Sequence, residues 1–488
     1  MNTHLEQLQP ALLWQHFRTF CNTPRPSWHE EAILAKIEAW ADRQNLTHER
    51  DAASNLLLRK PATAGHENAP GIVLQGHVDM VAEVDNGVAH DFQSDAIDTF
   101  VEDGWLKARG TTLGADNGIG ASAALAILEE PELEHGPLEV LLTVAEEVSL
   151  VGAAKLAPDW LQGRLLLNLD TEQQGEVCIG CAGGTNVSTQ TELALQPLAA
   201  GMRVARIAVG GLNGGHSGID IDSGRANANR LLARVLYQLL AHDLRLVAYD
   251  GGRMDNAITR SAEAIVAFPA AADDAVTAQL QQLQSMLRAE LAGVDDGVTV
   301  SRCAGEASEA LSAADSRRLV QLLYALPFGV ERMSQAAPGV VETSNNIGVL
   351  QLADGLFATQ LMVRSLTDST RDALAERIVA MFELADLPAE QGAGYPGWTP
   401  NPDSALLQRF IAIHEQVTGQ QPAIKVIHAG LECGLIGAKY PHMDMISFGP
   451  TIRGAHSPAE RVELASVESF YQLLCATITA LAQPDPGA

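Results

Sequence analysis

Basic residues are scarce in this 488-residue chain: 32 Lys and Arg stand against 60 Asp and Glu, a formal charge of −28 at pH 7. Such a surface repels a phosphate backbone unless a basic patch overrides it, and the sequence has no such patch, so nucleic acid is excluded as a partner. Cysteine is sparse as well, six in all, which suits a reducing compartment where disulfides are rare. No run approaches the apolar length needed to cross a bilayer. The opening MNTHLEQLQP has neither the basic nor the apolar segment that marks secretion. A cytoplasmic protein without membrane contact is expected. Cys178 and Cys181 form a CxxC with no second pair or nearby His, and read as a strand edge beside Gly180 and Gly183 rather than half a zinc site.

What is present is enough apolar material, 47% of residues, for more than one core, since single cores stop growing at roughly 250–300 residues. The first forty residues read as two amphipathic helices, one carrying Leu5, Leu8, Leu12, Leu13 and Phe17, the next opening from a capping box, Ser27 to Glu30. Apolar runs at 72–75, 140–144 and 165–169 each end in polar residues, as buried parallel strands do. With a helix near 119–128 they predict an α/β domain whose core sheet is mostly parallel, with helices on both faces. From 186 to 399 strands alternate with long amphipathic helices in the order β-α-β-β-α-β, followed by a second similar set. This predicts an inserted α+β lid with two ferredoxin-like halves. The loop GAGYPGWTPNP, 392–402, leads back, so the first domain comprises 1–185 and 400–488.

Chemistry gathers at the ends of the core runs. His77 and Asp79 are two apart and share one face of an extended chain, the pairing a metal ligand and its orienting carboxylate require. In Gly114-Ala115-Asp116-Asn117-Gly118-Ile119-Gly120 a carboxylate stands at the start of a helix. The same glycines also resemble a phosphate cradle, although Asp116 would repel the phosphate. Glu146 and Glu147 follow VLLTV and can reach one site only if the chain has already left its strand. Asp170 follows LLLNL, and His456 lies in the returning segment. In open α/β sheets one pocket forms beyond the carboxyl ends of strands, so these groups are expected to converge.

The motifs GHVDMV at 76–81, TTLGADNGIG at 111–120, AEEVSLVGA at 145–153, NLDTE at 168–172, GGHSGIDI at 214–221, HAGLECG at 428–434 and GAHSPAERV at 454–462 run in order along nearly the whole chain. Together they resemble the M20 metallopeptidases, and among these the aminoacyl-histidine dipeptidases. The resemblance implies hydrolysis of small peptides, Xaa-His dipeptides and beta-alanyl-histidine among them. It implies two divalent metal ions, zinc first, with cobalt or manganese as alternatives. His77, Asp116 and Asp170 would hold one ion, Asp116, Glu147 and His456 the other; Asp79 would orient His77, and Glu146 would be the general base. His216 would stabilise the oxyanion from the lid. Two similar lid halves favour its acting within its own chain, and a homodimer stays open. Arg364, Asn256 and Glu432 would contact substrate carboxylate, backbone and amino group. Rival readings are a related tripeptidase or N-acyl amino acid deacylase, a binding protein with a vestigial site, and, more remotely, a nucleotide-dependent oxidoreductase.

Overall fold

A computed structural model describes residues 2–335 and 337–484. The chain divides into two compact units, one of residues 1–180, 400–426 and 431–488, the other of 181–399 and 427–430. The insert thus starts at Cys181, and a short piece of the returning chain clusters with it.

At the centre of the first unit four strands run parallel, Leu138–Thr143, Ile72–His77, Leu165–Asn168 and Asp444–Ser447 in spatial order. They are buried almost throughout, which is why they read as unbroken apolar runs. Thr47–Arg50 and Leu56–Lys60 add antiparallel on one side, and Glu176–Cys181 pairs antiparallel on the other, with Ala423–Ile427 beyond it. Helix Ala115–Glu129 is buried on every side and packs against helix Ala11–Cys21, so it is apolar all round rather than striped.

Three local expectations change. The first helix starts at Ala11: Pro10 precedes it as cap, and Leu5 is buried instead from a separate short turn, Thr3–Gln7. Ser27 does not cap the second helix, Glu31–Arg43; its hydroxyl donates to Asp79 Oδ2 at 2.8 Å. Helix Leu464–Ala482 is long and apolar enough, by composition alone, to cross a bilayer, contrary to the sequence reading. Ten of its residues are buried and it packs on helix Ala405–Thr418, so a core position accounts for its apolarity.

In the second unit a nine-stranded sheet is antiparallel along its named pairs. Strands Met202–Gly210, Arg245–Gly251, Ala262–Pro269 and Thr299–Ala304 lie in the order fourth, first, third, second. Gly183–Glu192, Val341–Ala353, Leu356–Ser365 and Glu390–Gln391 repeat that order in mirror sequence across the sheet, and the two sets join where Tyr249–Gly251 pairs with Leu350–Leu352. The second set borrows its first strand from the chain preceding the first set. Gly329–Met333 adds a further strand alongside Val341–Ala353. Helices Ala228–Leu239, Asp273–Glu290, Ala313–Ala325 and Asp368–Leu384 contribute to this unit's own apolar core.

Candidate metal centre

In the first unit the strand ends deliver their polar residues to one place. His77 closes strand Ile72–His77 and is buried, with Nδ1 3.3 Å from Asp79 Oδ1 and Nε2 3.2 Å from Asp116 Oδ1 and 3.5 Å from Asp170 Oδ1. Asp116 Oδ2 lies 3.2 Å from His456 Nε2, which is 2.9 Å from Glu147 Oε2. Asp116 therefore stands between the two imidazoles. His77, Asp116 and Asp170 offer ligand atoms all within 4.8 Å of one another, as do Asp116, Glu147 and His456. A third such trio, His77, Glu146 and Glu147, was not anticipated.

The backbone explains how adjacent glutamates reach one site. Strand Leu138–Thr143 ends, Ala145 turns left-handed at φ 49°, and Asp79 accepts the amides of Glu146 and Glu147 at 3.1 and 3.3 Å. Asp79 thus steadies both His77 and the glutamate turn.

The charge pattern fits cations. Burial, with Asp170, Glu432 and Glu147 nearby, raises the Glu146 carboxyl well above the usual range despite His77, and burial lifts Asp170 to about 7. Hydrogen bonds to Asp116 and Glu147 carry His456 up to about 11. Carboxylates crowded in this way need positive charge. Glu147 Oε1 and Asp170 Oδ1 are buried with no hydrogen-bond partner among the described residues. Unpaired buried carboxylate oxygens beside imidazoles are the donor set of a divalent-ion site, and these residues fit such ions.

Three groups without a role in the sequence reading bear on this site. Glu460, 2% exposed, accepts four backbone amides: Leu113 and Gly114 donate to Oε2 at 2.7 and 2.8 Å, Ala115 and Asp116 to Oε1 at 2.7 and 3.2 Å. The glycine-rich turn that resembled a phosphate cradle is filled by a carboxyl group of the protein itself, one whose pKa burial pushes up to about 7. Arg25, equally buried, donates to the carbonyls of Val78, Asp79 and Gly114. Gly114 is left-handed at φ 68°, and a Cβ there would lie 2.3 Å from the guanidinium. Glu172, raised to about 8 by burial and then by Asp116 and Asp170, adds another acidic group. Glu432, the expected amino-group contact, is buried: Oε2 accepts from Gln75 and Thr143 at 2.5 and 2.7 Å, while Oε1 has no hydrogen-bond partner among the described residues.

The second unit holds the remaining candidates. His216 Nδ1 accepts the amides of Gly218 and Ile219, both at 3.1 Å, which leaves the ring proton on Nε2. Burial and then Arg364 lower its pKa to about 4, so the ring is a neutral N–H donor at pH 7. Asn256 adjoins it: the Ser217 amide donates to the Asn256 carbonyl at 2.8 Å. Arg364, 4% exposed, donates to Tyr395 Oη at 2.9 Å and to Ser217 Oγ at 3.3 and 3.4 Å, and no carboxylate among the described residues pairs with it.

The fold and this centre define a metallopeptidase, and residues 73–480 match the model of peptidase family M20/M25/M40. The chain belongs to that family. It is 42% identical over 97% of its length, and 98% of the relative's, to the cytosol non-specific dipeptidase of Escherichia coli strain K12. The crystal structure of aminoacylhistidine dipeptidase from Vibrio alginolyticus superposes with a TM-score of 0.90 at 42% identity, covering 98% of both chains. A tripeptidase from Staphylococcus aureus shares the fold, with a TM-score of 0.59 at 16% identity over 98% of this chain and 100% of that one.

Proposed function

We propose that the chain is a cytoplasmic dipeptidase that hydrolyses Xaa-His dipeptides, including beta-alanyl-histidine. One observation carries the reading: five ligand side chains, His77, Asp116, Glu147, Asp170 and His456, converge with Asp116 between the imidazoles. The near full-length similarity to two dipeptidases supports it. In our assignment His77, Asp116 and Asp170 hold one divalent ion and Asp116, Glu147 and His456 a second, zinc by preference and cobalt or manganese as alternatives. Bound there, the ions would lower the pKa of water and polarise the scissile carbonyl.

The protein's own groups do the rest. Glu146 takes the proton of the attacking water and returns it to the leaving amine; burial raises its carboxyl above the usual carboxylate range, which makes it a stronger base than an exposed glutamate. Asp79 fixes the His77 ring. The His216 Nε2–H donates a hydrogen bond to the carbonyl oxygen as negative charge develops, and the backbone hold on Nδ1 keeps the proton on Nε2. Arg364, a buried guanidinium with only neutral partners, receives the substrate carboxylate. Asn256 holds the peptide backbone, and the unpaired Oε1 of Glu432 meets the amino group.

The test is a rate comparison with metal-loaded protein on beta-alanyl-histidine, alanyl-histidine, a tripeptide and an N-acetyl amino acid. Fastest turnover of the two dipeptides is expected. Preference for the tripeptide or the acylated amino acid would replace this reading with the related tripeptidase or deacylase.

A further inference from the structure

We infer that Glu460 is a positioning residue: by holding the four amides of Leu113 to Asp116, it fastens the His456 loop to the Asp116 turn and so builds the Asp116, Glu147, His456 cation subsite. This rests on the metal reading above. His456 and Glu460 share one tight loop, in which Gly454 and His456 are left-handed at φ 68° and 62° and the Glu460 amide donates to the Ser457 carbonyl at 3.0 Å. The base of the loop is tied by pairing of Ile452–Arg453 with Arg461–Glu463, and that strand pairs in turn with Trp105–Ala108. Neither tie reaches the turn that carries Asp116. Glu460 does, across 344 to 347 positions of sequence, with both oxygens used twice.

The arrangement also sets direction. Its amide link to Glu460 fixes the Asp116 backbone, while Arg25 pulls the Gly114 carbonyl toward Val78 and Asp79, beside His77. The His77 side of Asp116 therefore has a second anchor in Arg25, whereas the His456 side depends on Glu460. Loss of the Glu460 carboxylate should weaken the subsite containing His456 more than the one containing His77.

Glu460→Gln keeps the shape but turns one acceptor into a donor facing amide donors. Mn2+ is titrated into chelator-stripped protein, with calorimetry for affinity and electron paramagnetic resonance for the spin-coupled ion pair. Amide exchange of residues 113–116 is followed in the metal-free chain. The expected result is a roughly 10–100-fold weaker second ion, loss of the coupled signal, a first ion within a few-fold of wild type, and faster exchange confined to the turn. Glu460→Asp, which keeps the carboxyl group at shorter reach, should fall between, and it carries the test if the Gln variant does not fold. Equal weakening of both ions, exchange rising throughout the unit, or two ions bound at wild-type affinity in the variants overturns the inference. A wild-type chain that takes up no pair of ions overturns the metal reading and this inference with it.

Discussion

Acid should loosen the inserted unit through one imidazole. His428 is buried, its Nε2 is 2.7 Å from Ser344 Oγ, and burial, then the nearby Arg364 cation, lower its pKa from 6.5 to about 3. Above pH 6.5 the ring is neutral folded or unfolded, and stability does not depend on it. Between pH 6.5 and about 3 the unfolded chain takes a proton that the folded one refuses, so stability falls as acid is added; below that range the loss is complete. At pH 4 this amounts to about 3 kcal/mol relative to neutrality. His428→Gln keeps a partner for Ser344 but cannot titrate. The assay is amide exchange of strand Val341–Ala353, or urea unfolding of the unit, at pH 7 and pH 4 in both proteins. Wild type should lose about 3 kcal/mol more than the variant over that span. Equal losses would refute the reasoning, because the carboxylates that titrate nearby are common to both proteins.

Two further outcomes follow from the site. Glu146→Gln should cut kcat by ~10²–10⁴-fold while both ions stay bound, as read by metal analysis of the purified variant; retained turnover would remove Glu146 as the base. Arg364→Met should raise KM for a free dipeptide by roughly 10–100-fold, the worth of one charged hydrogen bond, and change little for a dipeptide amide. Lys at 364 should not restore binding, since an ammonium lacks the guanidinium's paired donors.

The sequence made the parallel centre of the first unit legible because strands buried on both faces must be apolar throughout. For the same reason the polar residues at their ends stood out, and His77, Asp116, Glu147, Asp170 and His456 could be named together. The antiparallel flanks were less visible: Thr47–Arg50 is largely exposed and polar, so no apolar run announces it. Glu460 and Arg25 escaped notice for another reason. Their importance lies in contacts with backbone amides and carbonyls, which carry no residue identity, at positions remote in sequence. The glycines at 114 and 118 were visible, and suggested an external anion because an internal carboxyl group cannot be seen without the fold. Ser27 was misjudged on similar grounds, since capping is a local pattern and its actual partner, Asp79, is distant.

The returning segment that brings both His456 and Glu460 has a consequence for how the enzyme is made. A ribosome delivers His77, Asp116, Glu147 and Asp170 long before it delivers residue 456. At ~5–20 residues per second the interval is roughly a quarter of a minute to a minute. Throughout that time the emerging polypeptide carries a carboxylate-rich half-site, and hydrolytic competence waits on the last stretch to be translated.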